Sequence, residues 1–318
     1  MKNIFTILAA ALSVMAAGSC DSTVTPGEPD LTRREIVLST SITAAGVKAA
    51  YPQTNTQLIA GETVNVWVDE NTGVTVVPLY ENFILTANGY GGLSGGAAMY
   101  YPQNDHTVDI YAVHTNAALA DRQFPTGRLT HSVSASQRNL DSYVWSDLLL
   151  ASARNIPNGS EEVQLVFRHL LSKVQVALVL EDGLGASDIV GIMIRNTRLK
   201  AGFSLNKSGS ASSTDITPEG ETADIWIGTD ISPDFNAPAY NDAVIVPQIL
   251  GAGSAFVVVE LADGTRLAYT LKQDTSFESG YCYQYHITLT RDEISVTSQV
   301  IDWVPGGSVS GEADIVVD

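Results

Sequence analysis

Residues 174–183 read Val174-Gln175-Val176-Ala177-Leu178-Val179-Leu180-Glu181-Asp182-Gly183. From Val174 to Leu180 every second residue is a large aliphatic one, and side chains two positions apart share one face of a β-strand. The stretch therefore predicts a strand with a continuous apolar face. The polar residues and glycine at 181–183 are typical of a tight turn, so a further strand is expected after it.

The same alternation recurs along the chain, whereas long stretches of helical periodicity do not. Short helical turns are expected only within residues 141–153 and 168–173, and residues 206–222 are expected to form a long exposed loop. The 318 residues exceed what one sandwich core needs. These patterns predict an all-β protein with two tandem β-sandwich domains, at residues 35–182 and 183–318.

The amino terminus has the pattern of a bacterial lipoprotein signal. Lys2 precedes an apolar run, Ile4–Ala17, that is shorter than a membrane-spanning helix, and small residues lead from it to Cys20. Signal removal is expected to take residues 1–19 and to leave Cys20 as the acylated anchor in the lipid membrane. Residues 20–34 are expected to be a flexible tether. The alternative is an ordinary secretory peptide in which Cys20 has no role.

Charge and cysteine content restrict the function. The 35 acidic and 17 basic residues give a net charge of −18, which makes nucleic acid an unsuitable partner. Acylation of Cys20 would leave Cys282 as the single free thiol, so no intrachain disulfide is expected. Cys282 lies in a strand-like run, where a small buried hydrophobe is favoured over a nucleophile.

Motifs for catalysis or metal binding are missing from the sequence. The five histidines show no HExxH spacing, and neither CxxC nor Gly-x-Ser-x-Gly occurs. The glycine-rich residues 88–96 lack the Lys-Ser/Thr and the helical pattern that follow a phosphate-binding loop, so a surface loop is expected there. We therefore expect no enzymatic activity, no metal and no cofactor.

Several further motifs follow one another in a distinctive order. A strand at Glu35–Thr43 is followed by the basic residue Lys48 and by an apolar-Gly-acidic entry to the next strand at Ile59–Val64. Downstream come Tyr100-Tyr101-Pro102, Asp109-Ile110-Tyr111-Ala112, Ser146-Asp147-Leu148-Leu149-Leu150-Ala151, Phe167-Arg168-His169-Leu170-Leu171-Ser172-Lys173-Val174, Val244-Ile245-Val246-Pro247-Gln248 and Ile301-Asp302-Trp303. Their order, over essentially the whole chain, resembles the fimbrillins, the subunits of type V pili in the Bacteroidales. The segment at residues 167–174 is the most specific part of the resemblance.

The resemblance implies a non-enzymatic pilin with two transthyretin-like domains. A lipidated precursor would reach the outer membrane at the cell surface, and a trypsin-like protease would remove its first strand. A C-terminal strand of the next subunit would then take the vacated place. Cleavage is expected after Lys48, and the apolar face of the removable strand would be formed by Ile36, Leu38 and Ile42. Arg34 is a competing cleavage site, but a cut there would remove only the tether.

The donor strand would lie within Gly311–Asp318, where Ala313, Ile315 and Val317 alternate. Ile294 with Val296 offers a second candidate. For both, the alternative is an ordinary edge strand folded onto its own domain. The implied partners are other copies of the chain or related fimbrial subunits, together with a ligand on a host or bacterial surface.

Other interpretations stay open. A subunit that is not processed would occupy the tip or the anchor of a fimbria. A monomeric glycan-binding lipoprotein would use exposed aromatic side chains, for which Tyr111 and Trp226 are the candidates; both otherwise suit core edges. His169 and Lys173 suit either a metal site or, as favoured here, a structural junction in which His169 caps backbone groups.

Overall fold

The computed structural model describes residues 33–43, 50–51, 54, 56–119, 122–207 and 215–303. Nearly all regular structure in this part of the chain is β. The strands of the first half are β1 (Leu38–Ile42), β2 (Thr63–Asn71), β3 (Val76–Ala87), β4 (Leu93–Ser94), β5 (Thr107–His114), β6 (Arg128–Ser132), β7 (Leu149–Ile156), β8 (Val163–His169) and β9 (Ser172–Leu180). Those of the second half are β10 (Ile189–Ser204), β11 (Thr217–Ile227), β12 (Tyr240–Ile245), β13 (Gln248–Leu250), β14 (Ala255–Leu261), β15 (Arg266–Thr270), β16 (Thr275–Phe277), β17 (Tyr281–Leu289) and β18 (Ile294–Asp302).

One α-helix, α1 (Leu140–Trp145), interrupts the strands, and a 3-10 turn covers Ala186–Asp188. The helix begins at Asn139, whose side chain accepts a hydrogen bond from the Ser142 N–H. Within the described residues no helix has both the length and the apolar character needed to cross a membrane. The predicted all-β class is confirmed.

The amino-terminal sheet has seven strands in the order β1-β8-β7-β5-β2-β3-β4. Its buried face carries an apolar core of aliphatic side chains and Phe167. Most neighbouring strands are antiparallel, but β1 runs parallel to β8. Because Ser39 also forms a bridge with Gly92, next to β4, the two ends of the sheet meet at β1.

A five-stranded and a four-stranded sheet enclose the second core. One holds β11-β10-β14-β15 with β6 added to β10, and the other has the order β12-β9-β17-β18. Val174, Val176 and Leu178 of β9 face the same core as Ile192 and Ile194 of β10, so the two sheets pack as a sandwich. The alternating aliphatic residues between Val174 and Leu180 thus lie in the middle of this sandwich.

The domain boundary expected between residues 182 and 183 stays a prediction. Strands β6 and β9 precede that boundary, yet they pair with β10 and with β12 and β17. The strand pairing therefore joins residues 128–132 and 172–180 to the sheets of the later residues.

Two local expectations are corrected. Residues 168–173 are not helical, because β8 runs through His169 and β9 begins at Ser172. The short helical turns expected within residues 141–153 are confirmed by α1, which ends at Trp145 before β7 begins at Leu149. Residues 217–222 of the expected loop lie in β11, while residues 208–214 lie outside the described part of the chain.

Candidate functional site

The segment from Glu35 to Thr43 lies between two backbone edges. On the β8 side, the Val37 carbonyl accepts from the Val163 N–H at 2.9 Å, and the Thr43 N–H donates to the Phe167 carbonyl at 3.0 Å. On the opposite side the N–H groups of Ile36, Thr40 and Ile42 donate to the carbonyls of Met99, Gly91 and Thr56 at 2.6–2.8 Å. The segment is therefore an inserted strand with partners on both sides, and β1 is its regular part.

Side chains alternate strictly along this segment. Ile36 and Leu38 are each 4% exposed and Ile42 is 7% exposed, whereas Val37 between them is 44% exposed. Thr40 also points inward, where its hydroxyl donates to the Gly91 carbonyl at 3.2 Å. A cavity of about 360 Å³ adjoins the segment and is lined by Leu85, Leu93, Met99 and the small residues 94–98. The apolar face expected of the removable strand is thus buried against the first core.

Of the two candidate processing sites, only Arg34 lies in the described part of the chain. Its side chain is exposed, and its guanidinium lies 3.5 Å from the Gly159 carbonyl. Its own carbonyl accepts from the Tyr101 N–H at 2.9 Å, so the strand-like pairing begins at Arg34. Lys48, the lipidation candidate Cys20 and the donor candidates Ala313, Ile315 and Val317 lie outside the described residues.

The second donor candidate is paired within its own sheet. Ile294 and Val296 belong to β18, which pairs antiparallel with β17 along its whole length. β18 is the last strand of that sheet. Its position corresponds to the ordinary edge strand that the sequence left open as an alternative.

At residues 50 and 51, which follow the undescribed residues 44–49, the chain contacts the sandwich of the second core. The Ala50 N–H donates to Asp242 Oδ2 at 3.1 Å, and the Tyr51 ring lies 5.0 Å from the ring of Tyr143. Asp242 is fully buried and forms an ion pair with the equally buried Lys173 at 2.9 Å. The sequence patterns did not single out Asp242, although a carboxylate directly before the apolar run of residues 243–246 is a sign of a buried pair.

His169 lies at the junction between the two cores. Its Nδ1 is 2.8 Å from Asp147 Oδ2, and its ring stacks on Trp303 at a centroid distance of 3.6 Å. The expectation that His169 caps backbone groups is corrected, because its partners are a carboxylate and an indole. The junction role is retained, and among the described residues no cluster of three or more potential ligands could hold a metal ion.

Glu62 and His114 form a second buried pair at the same junction. Glu62 lies 3.5 Å from His114 Nε2, and its carboxylate accepts from the Ile59 N–H. Burial raises the pKa of Glu62 to about 7, although the nearby His114 opposes that change. Burial likewise lowers the pKa of His131 to about 4. The fold therefore holds several titratable groups away from water without an evident reaction centre.

The remaining candidate side chains are structural. Tyr111 is 4% exposed and packs against Phe124, while Trp226 is half-buried beneath the guanidinium of Arg138 at 4.7 Å. The core-edge interpretation is therefore confirmed for Tyr111. Cys282 is completely buried, and burial raises the pKa of its thiol, as expected for a core residue.

Comparison with known proteins adds a family and a fold. The model of a family described as fimbrillin-like matches residues 49–303. A Bacteroides uniformis protein described as fimbrium subunit Fim1C is 25% identical over 237 residues, covering 71% of this chain and 72% of that protein.

Two crystal structures share the fold. One, of a protein described as a cell adhesion protein from Bacteroides uniformis, has a TM-score of 0.61 at 20% identity and covers 87% of this chain and 100% of that one. The other, described in the same way and from Bacteroides ovatus, has a TM-score of 0.63 at 15% identity and covers 86% and 99%. The match extends over both cores.

Proposed function

Because the chain belongs to the fimbrillin-like family, we propose that it is a structural subunit of a cell-surface fimbria and contributes to adhesion. Its precursor is anchored in the outer membrane through acylated Cys20. Cleavage by a trypsin-like protease after Lys48 releases Glu35–Thr43. A strand from the C-terminal residues 311–318 of a neighbouring copy, or of a related fimbrial subunit, then fills the groove.

The two-sided pairing of residues 35–43 carries this proposal. Removal of the segment would leave unpaired carbonyls at Met99, Gly91 and Thr56 on one side and the free edge of β8 on the other. Backbone groups and apolar pockets exposed in this way favour the addition of a strand from another chain. The burial of Ile36, Leu38 and Ile42 contributes about 1.5–3 kcal/mol each, which holds the segment in place until it is cut.

The position of the cut follows from the same contacts. Arg34 lies at the start of the pairing and before residues 35–43, so a cut after it leaves those residues joined to the body of the protein. Lys48 follows the segment and precedes Ala50, which is fixed on Asp242. A cut after Lys48 therefore separates the strand from the part of the chain that is held in place, and this favours Lys48 over Arg34.

Limited trypsin digestion of the chain carrying Cys20→Ser tests this proposal. Mass spectrometry identifies the new termini, and negative-stain electron microscopy detects polymers. We expect a cut after Lys48 and head-to-tail polymers. Lys48→Ala should give neither, whereas Arg34→Ala should give both. Polymers from the Lys48→Ala protein, or cleavage confined to Arg34, would support an unprocessed tip or anchor subunit instead.

A further inference from the structure

Ala50 and Tyr51 attach the amino-terminal segment to the second sandwich at a carboxylate-lined site. Asp242 accepts hydrogen bonds there from the Ala50 N–H at 3.1 Å and from Gln175 Nε2 at 2.9 Å, and Lys173 Nζ forms an ion pair with it at 2.9 Å. Burial raises the pKa of Tyr51, and the charges of Asp242 and Asp230 raise it further. Two carboxylates therefore act on the chain at residues 50–51.

A cavity of about 330 Å³ opens beside these residues. Its lining includes Ala50, Asp230, Asn241 and Asp242. Asp242 is neutralised by Lys173, but among the described residues no cation lies in salt-bridge contact with Asp230. Arg138 also borders the cavity, yet its guanidinium lies over the face of Trp226. The cavity thus has one carboxylate with capacity for a cation.

We propose that this cavity binds the α-ammonium group that cleavage after Lys48 creates at Ala49. The proposal rests on the proposed processing and adds a receptor site for its product. Consecutive backbone nitrogens are at most about 3.6 Å apart. Because the Ala50 nitrogen is held 3.1 Å from Asp242, the new amine must lie within about 7 Å of that carboxylate. Asp230 supplies the charge partner, and Asp242 and Asn241 supply further acceptors.

Binding of this ammonium group would affect the groove that residues 35–43 occupy in the precursor. Residues that follow Ala50 form one end of that groove, since the Thr56 carbonyl accepts from the Ile42 N–H. An ammonium group bound at Asp230 fixes the cut end of the chain, so the end of the groove at Thr56 keeps its position when residues 35–43 leave. The incoming strand then meets a preformed edge, which lowers the ordering cost of its binding.

The experiment exposes the same amine without depending on natural processing. In the full chain carrying Cys20→Ser, the changes Ala45→Ile, Gly46→Glu, Val47→Gly and Lys48→Arg create a factor Xa site immediately before Ala49. After cleavage, the rate at which an amine-reactive reagent acylates Ala49 is followed by mass spectrometry near pH 7. We expect Asp230→Asn to increase that rate about tenfold, because a free α-amine has a pKa of about 7.7–8.0 and an ion pair raises it.

Asp292→Asn is the matched control, since it removes one exposed carboxylate from the turn between β17 and β18, and it should leave the rate unchanged. Asp242→Asn should also increase the rate, but it disturbs the buried pair, so Asp230→Asn decides. Equal acylation rates in the cut parent and in cut Asp230→Asn would overturn the proposal. Cleavage after Lys48 and polymer formation in the natural sequence are scored separately, so the proposed function can stand when this inference fails.

Discussion

Glu62 is a buried carboxyl group whose protonation should control stability. Its pKa is about 7 in the folded protein, mainly because of burial, and an unfolded chain returns it to about 4.5. The folded state therefore binds this proton more tightly, so the contribution of Glu62 to stability is greatest below pH 4.5 and is lost as the pH rises through 7.

Glu62→Gln should remove this loss. We expect the stability of the variant relative to the parent to increase between pH 5 and about 8, with the variant more stable at pH 8 by up to about 3 kcal/mol. Urea unfolding across that range measures it, and Glu161→Gln on the surface serves as the control. A parent profile with the same slope as the Glu62→Gln profile would contradict the assignment.

Lys173 and Asp242 should show the asymmetry of a buried ion pair. Lys173→Met leaves the Asp242 carboxylate buried without its cation, which should cost about 3–5 kcal/mol. Adding Asp242→Asn removes the uncompensated charge and should restore part of the loss. The exposed pair Arg266–Glu260 is the control, and Arg266→Met should cost less than about 1 kcal/mol. Urea unfolding that gives equal losses of stability for Lys173→Met and Arg266→Met would rule out the buried ion pair.

The burial of single apolar residues was predictable from the sequence. Cys282 was expected in a core because it lies in a strand-like run, and Tyr111 was favoured at a core edge; both are buried. Partners of polar residues were not predictable, since Asp242 is 69 positions from Lys173 and Asp147 is 22 positions from His169. Such pairs depend on strand register, which local pattern does not determine.

Among the elements, the segment at residues 35–43 has neighbouring side chains of opposite exposure. Leu38 lies in the first core at 4% exposure, whereas Val37 faces outward at 44%. Leu38→Ala should therefore lower the free energy of unfolding by about 2–5 kcal/mol, and Val37→Ala should change it by about 0.5 kcal/mol or less. Urea unfolding of the Cys20→Ser precursor tests the pair. Similar losses for both would show that the segment is not docked by its inner face.

Errors at the level of elements arose where the chain passes between sheets. Residues 169–173 are buried at successive positions, and periodicity cannot assign such a run to a helix or a strand. They connect β8 of the first sheet with β9 of the second sandwich, so their burial on all sides comes from the two cores.

The arrangement of the whole molecule was only partly readable from sequence. Alternation and turns identified the all-β class, since they are local signals. The parallel pairs β1–β8 and β9–β17 join residues more than 100 positions apart, and no turn specifies them. These long-range pairs are what place residues 35–43 between β8 and the segment around residues 91–99.

Anchoring of the intact protein should depend on one residue. Two or more acyl chains on Cys20 would give stable membrane attachment, whereas a single chain would bind only weakly. Cys20→Ser should therefore move the protein from the outer-membrane fraction to the soluble periplasm, as measured by fractionation and immunoblotting. Cys282→Ser is the control and should leave the distribution unchanged. Membrane attachment of the Cys20→Ser protein would contradict the lipoprotein assignment.

Assembly of many copies should fail when the donor strand alone is altered. A head-to-tail contact joins two different surfaces, so it propagates into a fibre without closing. Ile315→Asp would place a charge in a pocket that in the precursor holds an aliphatic side chain such as Leu38, and burying an unpaired charge is strongly unfavourable. Trypsin-treated Ile315→Asp protein should be cut after Lys48 but remain without polymers in electron micrographs. Because residues 35–43 are unchanged, its precursor should unfold at the same urea concentration as the parent. Glu312→Gln, in the same tail but outside the alternating apolar set, should still polymerise; polymers of Ile315→Asp at the parental yield would exclude residues 311–318 as the donor.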